Sequence, residues 1–516
     1  MADLKVAVER ISEESSSHDA AQSRRDIEGC LVSIDRLRRE RAVFREQMVD
    51  ARKSEVAHID FAGYRGTKAR IAEQCSTDAD TYGWVDVSLG NERDRELIST
   101  YARDVKLRPV PNTPSTPSLR ILVVGAGVGG ISIARGLLRD GHHVTVFDQR
   151  PEVQPGGGAV TIWSNGSTVL GQLGVDMDGA GQLLSTVRVA TSTGRPVTTV
   201  DLTAMVDRLG APVRQVPRRV LLERLLEGFP VDRIRCNFRA VGSVSTRDGV
   251  RIEFEDGSSA EGDLLIGADG LHSVVRDIAG AAPAKPTGWC SWQGLVTLPD
   301  IADKHVAWQV IGEHGNLGLF PAGGSDMQWW FDLPWSYEFV RPERPIELIR
   351  SNFTGWSDSA DRVLATLTDD DLAPSPFPHF RHPIPRTPGR GVLTLLGDAA
   401  HTMPPSFAQG TNQALLDTMV LRKALSDFRN GTNGNNGDLS RALRWYEKTR
   451  RRKVKAVSWL ASQQASRPEA LLRPAAMIPD RTTTWTWTTF LRAVSHRRMS
   501  AEISRDLVPA TRAPSR

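Results

Sequence analysis

Leu119–Arg150 reads LRILVVGAGVGGISIARGLLRDGHHVTVFDQR, and the order of residue types in it decides the fold. Ile121, Leu122, Val123 and Val124 form a branched apolar run, the pattern of a strand buried on both faces in a parallel sheet. The run ends in Gly125-Ala126-Gly127-Val128-Gly129-Gly130. A segment with Ile131, Ala134, Leu137 and Leu138 at helical spacing follows, and Gly141 ends it. A second strand, Val144 to Phe147, closes on Asp148. Each glycine has a physical use. Gly125 permits a tight turn, Gly127 lets the backbone approach a pyrophosphate, and Gly130 lets the helix pack on the strand. The helix N-terminus, with its free N–H groups and positive dipole end, faces the phosphates. Asp148 stands about 20 residues beyond the glycines, where a carboxylate binds both hydroxyls of an adenosine ribose. The stretch predicts a dinucleotide site and does not choose between NAD and FAD. The plainer alternative is an ordinary glycine-rich strand-to-helix turn.

Outward from this unit, the 516-residue length suggests more than one domain and enough chain for a large core. The formal net charge of +4 is small for that length, and the basic cluster Arg450-Arg451-Arg452-Lys453 reads as a solvated helix face. Nucleic acid is therefore not an expected partner. Cys30, Cys75, Cys236 and Cys290 are far apart and form no CxxC pair. They point to reduced thiols in a cytoplasmic protein, with neither a disulfide frame nor a metal site. The N-terminus carries charges where a signal peptide needs an apolar core, and no stretch suits a membrane span.

Residues 1–108 read as a helical N-terminal extension. Ile27, Leu31, Ile34 and Leu37 recur at helical spacing, and a second helix is expected from Arg93 to Val105. The extension is a packed appendage, a dimer arm, a partner-docking module or a lid. PVPNTPSTP makes 109–118 a stiff linker. The first part of the dinucleotide domain then spans 119–282, with β insertions. It holds a short helix from Ser167 to Leu173, a hairpin turning at Gly194, and a helix opening at Val216-Pro217-Arg218-Arg219. A meander follows, with turns at Asp248-Gly249 and Asp256-Gly257. The region 283–389, rich in strands, aromatics and prolines, is the expected substrate domain. Its tryptophans serve either core packing or a pocket for a flat substrate. The second part of the dinucleotide domain spans 390–430, with a strand at Val392–Leu396 and a helix from Gly410 to Phe428. A charged helix from Leu439 opens a C-terminal helical region, 438–516, in which Trp485 and Trp487 have no evident place.

Three motifs stand in order: GAGVGG with Asp148-Gln149-Arg150, then GADG at 267–270, then GDAAHTMPP at 397–405. Over roughly Arg120 to Lys453 the chain resembles the single-component FAD-dependent monooxygenases of the aromatic-hydroxylase type, which include para-hydroxybenzoate, salicylate and tetracycline hydroxylases. The resemblance implies an α/β Rossmann-like FAD domain with an inserted, mainly β substrate domain. It implies FAD as cofactor, NAD(P)H as a transient donor, and oxygen transfer to an aromatic or polyketide-type intermediate through a flavin C4a-hydroperoxide. By position it assigns Gly125, Gly127, Val128, Gly129 and Gly130 to the pyrophosphate, and Asp148, Gln149 and Arg150 to the adenosine side. Arg218 matches a FAD-contacting arginine and Asp269 an acid near the pyrophosphate linked to NAD(P)H use. Asp398 matches the ligand of the ribityl hydroxyls. Pro405, Gln409, Gly410, Thr411 and Asn412 pass along the isoalloxazine edge, where a helix N-terminus stabilises negative charge on the flavin. Trp292, Trp330 and Pro404 are candidates for the substrate pocket. His401 fits a structural role, His142 and His143 fit the surface, and Arg276 reads as a surface charge or a family residue. No catalytic acid or base is identifiable.

Two departures from the family pattern bear on mechanism. Ala408 stands where members often carry glycine before Gln-Gly, and Gln293 where they often carry arginine. A second class of function therefore stays open. It is non-redox [4+2] cyclisation of a polyketide, a decalin-type ring closure with FAD as a structural element of the pocket. A third is a flavin-binding protein that recruits a partner through its N-terminal extension. The expected partner is a small molecule, with no membrane, and a homodimer is one option for assembly.

Overall fold

The computed structural model describes residues 118–501, apart from 154–156, 247–248, 299, 301–302, 430–437, 464–468 and 497. The N-terminal extension and the linker up to residue 117 lie outside the described residues, as does the loop at 430–437.

The apolar run of the opening stretch forms a strand, Arg120–Val124, in the middle of a five-stranded sheet. The order is Leu393–Leu395, Leu264–Gly267, Arg120–Val124, His143–Phe147, Ile234–Arg235, and every pair is parallel. Because the sheet is covered on both faces, Ile121, Val123, Leu264 and Ile266 are fully or nearly fully buried. The helix Val128–Arg139 turns Ile131, Ile133, Ala134 and Leu137 into the same core, against the long helix Gly410–Arg429. The glycine-motif turn, GADG and the GDAAH turn all stand at the carboxyl ends of adjacent parallel strands. In sheets of this type, ligands bind at those ends.

A seven-stranded sheet forms the second body of the fold. Its order is Phe377–Arg381, Lys285–Thr297, Asp326–Pro334, Asn316–Gly323, Val306–Ile311, Thr186–Thr191, Pro196–Asp201. The pairs are antiparallel except Val306–Ile311 with Thr186–Thr191. Two of its strands thus come from the chain before residue 283. Two helices, Pro345–Phe353 and Asp358–Thr366, cover one face and were not read from the sequence. Their signals are present. Pro345 occupies the first turn, Ile346, Ile349 and Phe353 recur at helical spacing, and the Ser357 hydroxyl caps the second helix by accepting from Ala360 N–H.

The sequence placed Arg450 and His142 at the surface and left Arg276 open between a surface charge and a family residue, and the structure buries all three. Arg450 is 3% exposed and Arg276 1%. His142 accepts from Leu119 N–H through Nδ1 at 3.2 Å. His143 is exposed, as expected. The C-terminal helix Asp480–Val494 lies along the edge strand Pro196–Asp201. Asp480 Oδ1 accepts from Thr199 N–H at 2.7 Å, and Thr484 Oγ1 accepts from Asp201 N–H at 3.0 Å. Trp487 packs on Trp163, Phe407 and Phe490, while Trp485 is exposed. Cys236 and Cys290 are free thiols. Among the described residues no helix is long and apolar enough to cross a membrane.

Candidate active site

Steric exclusion brings the motifs together. Gly125, at φ +103°, presses so closely on the Ala268–Asp269 backbone that no Cβ could be placed there. A Cβ on Gly130 would overlap the Gly125 carbonyl oxygen, which is why the helix can start this close to the strand. Gly127 is different: a Cβ there would meet nothing within 4 Å. It caps the helix without any side-chain bond, so no cap claims the first-turn N–H groups of Val128, Gly129 and Gly130. Asp148 is half-buried beside them, its Oδ2 accepting from Ala126 N–H at 2.8 Å and its Oδ1 from Arg150 N–H at 2.9 Å. Each oxygen keeps capacity for a further donor. Gln149 and Arg150 are exposed.

Asp269 is spent locally. Its Oδ1 accepts from the Ser273 hydroxyl at 2.5 Å and its Oδ2 from Val275 N–H at 3.2 Å, so it braces the short helix Val274–Ile278. Burial pushes its pKa up against these bonds.

Asp398 and Arg218 lie close enough to act on each other's charge. Asp398 begins the short helix Asp398–His401 and exposes more than a third of its surface, yet enough protein surrounds it for burial to raise its pKa. Burial lowers the pKa of Arg218, and the Asp398 charge opposes that shift. No ion pair within 4 Å joins them. A Cβ on Gly410 would lie 3.7 Å from Asp398 Oδ1, which places this carboxyl at the N-terminus of Gly410–Arg429.

The approach to that N-terminus is the segment from Pro404, which is buried, through Pro405, which is exposed. Ala408 has φ +48° and ψ +38°, the left-handed region that glycine prefers. Asn412 is fully buried and holds the segment in place. Its Nδ2 donates to Ala408 O at 2.7 Å and Thr161 O at 2.9 Å, and its Oδ1 accepts from Trp163 N–H at 2.9 Å. Asn412 therefore works as a clasp. Gln409 is also buried and accepts from Gln413 Nε2, while Thr411 is half-buried on the first helical turn. Four buried polar atoms of this region lack any partner: Ser164 Oγ, Arg218 Nε, His401 Nδ1 and Gln409 Nε2. Buried polar atoms are nearly always satisfied. The uncapped helix start beside an unfilled Gly127, with the Asp148 and Asp398 carboxyls at the same end of the sheet, fits a large polar ligand such as FAD.

The large sheet faces this cradle with one side only. Gln328 Oε1 accepts from Ala159 N–H, in the strand Ala159–Ile162, so the face bearing Gln328 also turns Trp330 and Asp332 toward the FAD-side elements. Trp330 packs on Phe320 at 4.9 Å. Trp292 faces the other way. It is 1% exposed, in the core with Leu317, Trp329 and Phe331 beneath the two covering helices, and this removes it as a pocket residue. On the cradle-facing side the Ser291 hydroxyl donates to Asp332 Oδ1, and His379 Nε2 lies 2.6 Å from Ser291 Oγ. Burial raises the Asp332 pKa to about 7 and lowers that of His379 to about 4. Nothing local signals this cluster, because its members come from three strands far apart along the chain. His401 is buried and bonded to Asp417, in keeping with a structural role. Among the described residues no cluster suits a metal ion.

A family model described as an FAD-binding domain matches residues 118–460. The chain belongs to this FAD-binding family. The FAD-dependent urate hydroxylase of Klebsiella oxytoca is 31% identical over 339 residues, covering 64% of this chain and 86% of the relative. The 3-amino-4-hydroxybenzoate 2-monooxygenase of Streptomyces platensis is 32% identical over 360 residues, covering 66% and 87%. Among solved structures, Klebsiella pneumoniae HpxO complexed with FAD and uric acid matches with a TM-score of 0.60 and 26% identity, over 76% of this chain and 97% of that one. Tetracycline destructase Tet(55), at 18% identity and a TM-score of 0.56, shares the fold. The protein is accordingly an FAD-dependent monooxygenase, and the comparisons do not favour the non-redox cyclase.

Proposed function

We propose that this FAD-binding family member oxygenates an aromatic or polyketide-type intermediate of natural-product biosynthesis, with NAD(P)H as the transient donor. The observation that carries the reading is the convergence of an uncapped helix N-terminus, the Asp148 carboxylate and the neighbouring Asp398 and Arg218 charges at one end of the parallel sheet. The chemistry FAD supplies when bound is acceptance of hydride from the nicotinamide and, once reduced, activation of dioxygen for insertion of one oxygen atom. The protein's residues bind and orient. Val128, Gly129 and Gly130 offer N–H groups to the pyrophosphate. Asp148 takes the adenosine ribose, with Gln149 and Arg150 on its solvent side. Arg218 would contact the FAD, and Asp398 would accept from its ribityl hydroxyls. The N-terminus of Gly410–Arg429, led by Gln409, Gly410 and Thr411, would offer its positive end to negative charge on the flavin. Pro404, Pro405 and the apolar Trp330–Phe320 pair keep water from the reacting face. Asp269 stays in its structural brace.

The substrate classes named for relatives, urate, 3-amino-4-hydroxybenzoate and aurachin C, support a flat ring system. The reading places the protein in the cytoplasm and takes a homodimer as the assembly to test. Anaerobic stopped-flow with NADPH and NADH tests the reaction. Bleaching of the flavin, followed on aeration by a product one oxygen atom heavier than urate or 3-amino-4-hydroxybenzoate, is expected. Flavin that stays oxidised while a polyene substrate becomes an isomer of equal mass would overturn the reading.

A further inference from the structure

One buried charged cluster has no part in binding or chemistry as described. Asp417, on the helix Gly410–Arg429, is fully buried. Its Oδ2 accepts from Gly397 N–H at 2.9 Å and from His401 Nε2 at 2.6 Å. Its Oδ1 accepts from Arg450 Nε at 2.5 Å. Arg450 belongs to the next helix, Leu439–Ala461. Its Nη2 donates to the Gln413 carbonyl at 3.2 Å and to Gln413 Oε1 at 2.7 Å, and its Nη1 donates to His496 Nε2 at 3.1 Å. Burial alone would raise the Asp417 pKa, but the charges and hydrogen bonds of His401 and Arg450 bring it down to about 2. Burial and the Arg450 charge lower His496 to about 3, so it meets Arg450 as a neutral acceptor.

The geometry is specific. Gly397 and His401 bracket the short helix that begins at Asp398, and both hang on one carboxylate. Gly397 itself has φ +60°, which glycine adopts freely, so the geometry of this turn is fixed by the contacts that pin it. That carboxylate is fixed in turn by an arginine from a later helix, which is itself seated against the segment after Val494. Buried ion pairs add little net stability over apolar packing, and their best-attested use is to specify one geometry.

We propose that Asp417 and Arg450 are positioning residues of the cofactor site: together they set where the Asp398 carboxyl stands, and they make the C-terminal helices a working part of flavin binding. The inference rests on the reading of Asp398 as a ribityl ligand. The full-length FAD-loaded protein tests it, through FAD dissociation followed by fluorescence, the visible absorption spectrum and the flavin midpoint potential. Asp417→Asn and Arg450→Met are expected to weaken FAD binding 10-fold or more and to shift the spectrum. Arg450→Lys, which keeps the charge but cannot fork to all four acceptors, is expected to recover part of the loss and less than half of it. The double variant is expected to be no worse than Asp417→Asn alone, because both act through one contact. Native affinity, spectrum and potential in variants that merely melt earlier would overturn the proposal. Should Asp417→Asn fail to fold, the Arg450 pair decides. Asp398→Ala separates the two readings: unchanged FAD affinity there removes the ribityl assignment, whereas loss there with native Asp417 and Arg450 variants removes only the positioning role.

Discussion

Arg276 Nη1 donates to the carbonyl oxygens of both Ala399 and Ala400, at 3.0 Å each. The same guanidinium reaches Pro383 O through Nη2 at 3.0 Å and Ala282 O through Nε at 2.7 Å. A single cation thus joins the end of the GADG element to the carboxyl end of the GDAAH helix, where the helix dipole favours positive charge. Arg276→Met leaves four carbonyls without this donor. It is expected to destabilise the protein by about 3 kcal/mol, read as a lower urea midpoint. Arg276→Lys should recover less than half, because an ammonium cannot fork to four acceptors. A full recovery by lysine would show that charge alone matters.

Gly127 and Gly130 separate fold from ligand. Alanine at Gly130 would collide with the Gly125 carbonyl, whereas alanine at Gly127 would meet no protein atom within 4 Å. Gly130→Ala is expected to yield unfolded protein. Gly127→Ala should melt within about 0.5 kcal/mol of native in the FAD-free form, yet bind FAD at least 10-fold more weakly. Equilibrium titration with FAD, alongside denaturation of the FAD-free protein, checks both. Native FAD affinity in Gly127→Ala would move the pyrophosphate elsewhere.

Ala408 carries a left-handed backbone that costs a non-glycine residue roughly 1–2 kcal/mol. Ala408→Gly relieves that strain but gives the unfolded chain more freedom, so a net gain of up to about 1 kcal/mol is expected. Ala408→Val should lose more than 1 kcal/mol. A lower midpoint for Ala408→Gly than for native protein would contradict the observed geometry.

Asp332 sets a pH dependence. Its folded pKa is raised to about 7 by burial, while the unfolded group titrates near 4. Between those values the folded state holds a proton that the unfolded state has released. Stability from this group is therefore full below pH 4 and falls as pH rises to about 7. His379 and His382 act oppositely. Burial holds them at about 4 and about 3, so their contribution is lost as pH falls from about 6.5 toward those values. Asp332→Asn keeps an acceptor for Ser291 and should flatten the decline between pH 4 and 7 while sparing the acid limb. Thermal melts across pH 3–8 show whether it does.

Much of the fold was legible because its signals are local. The Leu119–Arg150 unit, the hairpin at Gly194 and the helix beginning at Gly410 are each set by residues within one element. What escaped is tertiary. Arg276, Arg450 and His142 look exposed in sequence because their partners lie far along the chain. Trp292 and Trp330 are alike as residues, and only the two covering helices decide which sheet face becomes core. The seat of Trp487 against Trp163 and Phe407 joins segments that nothing local connects. At the candidate site, the glycine turn and Asp148 were readable from spacing, and the strained Ala408 was visible as a departure. The Asp417 clamp was not.

The strand order of the parallel sheet has a consequence for biosynthesis. Leu393–Leu395 pairs with Leu264–Gly267, but five of the seven strands of the large sheet are translated between them. At ordinary elongation rates the ribosome needs on the order of ten seconds to bridge that interval. Throughout it, the edge of Leu264–Gly267 stays unpaired and the turn bearing Asp398 does not yet exist. Flavin capture therefore follows synthesis of most of the chain, and a nascent chain stalled before Leu393 would present an open apolar edge for chaperones to shield.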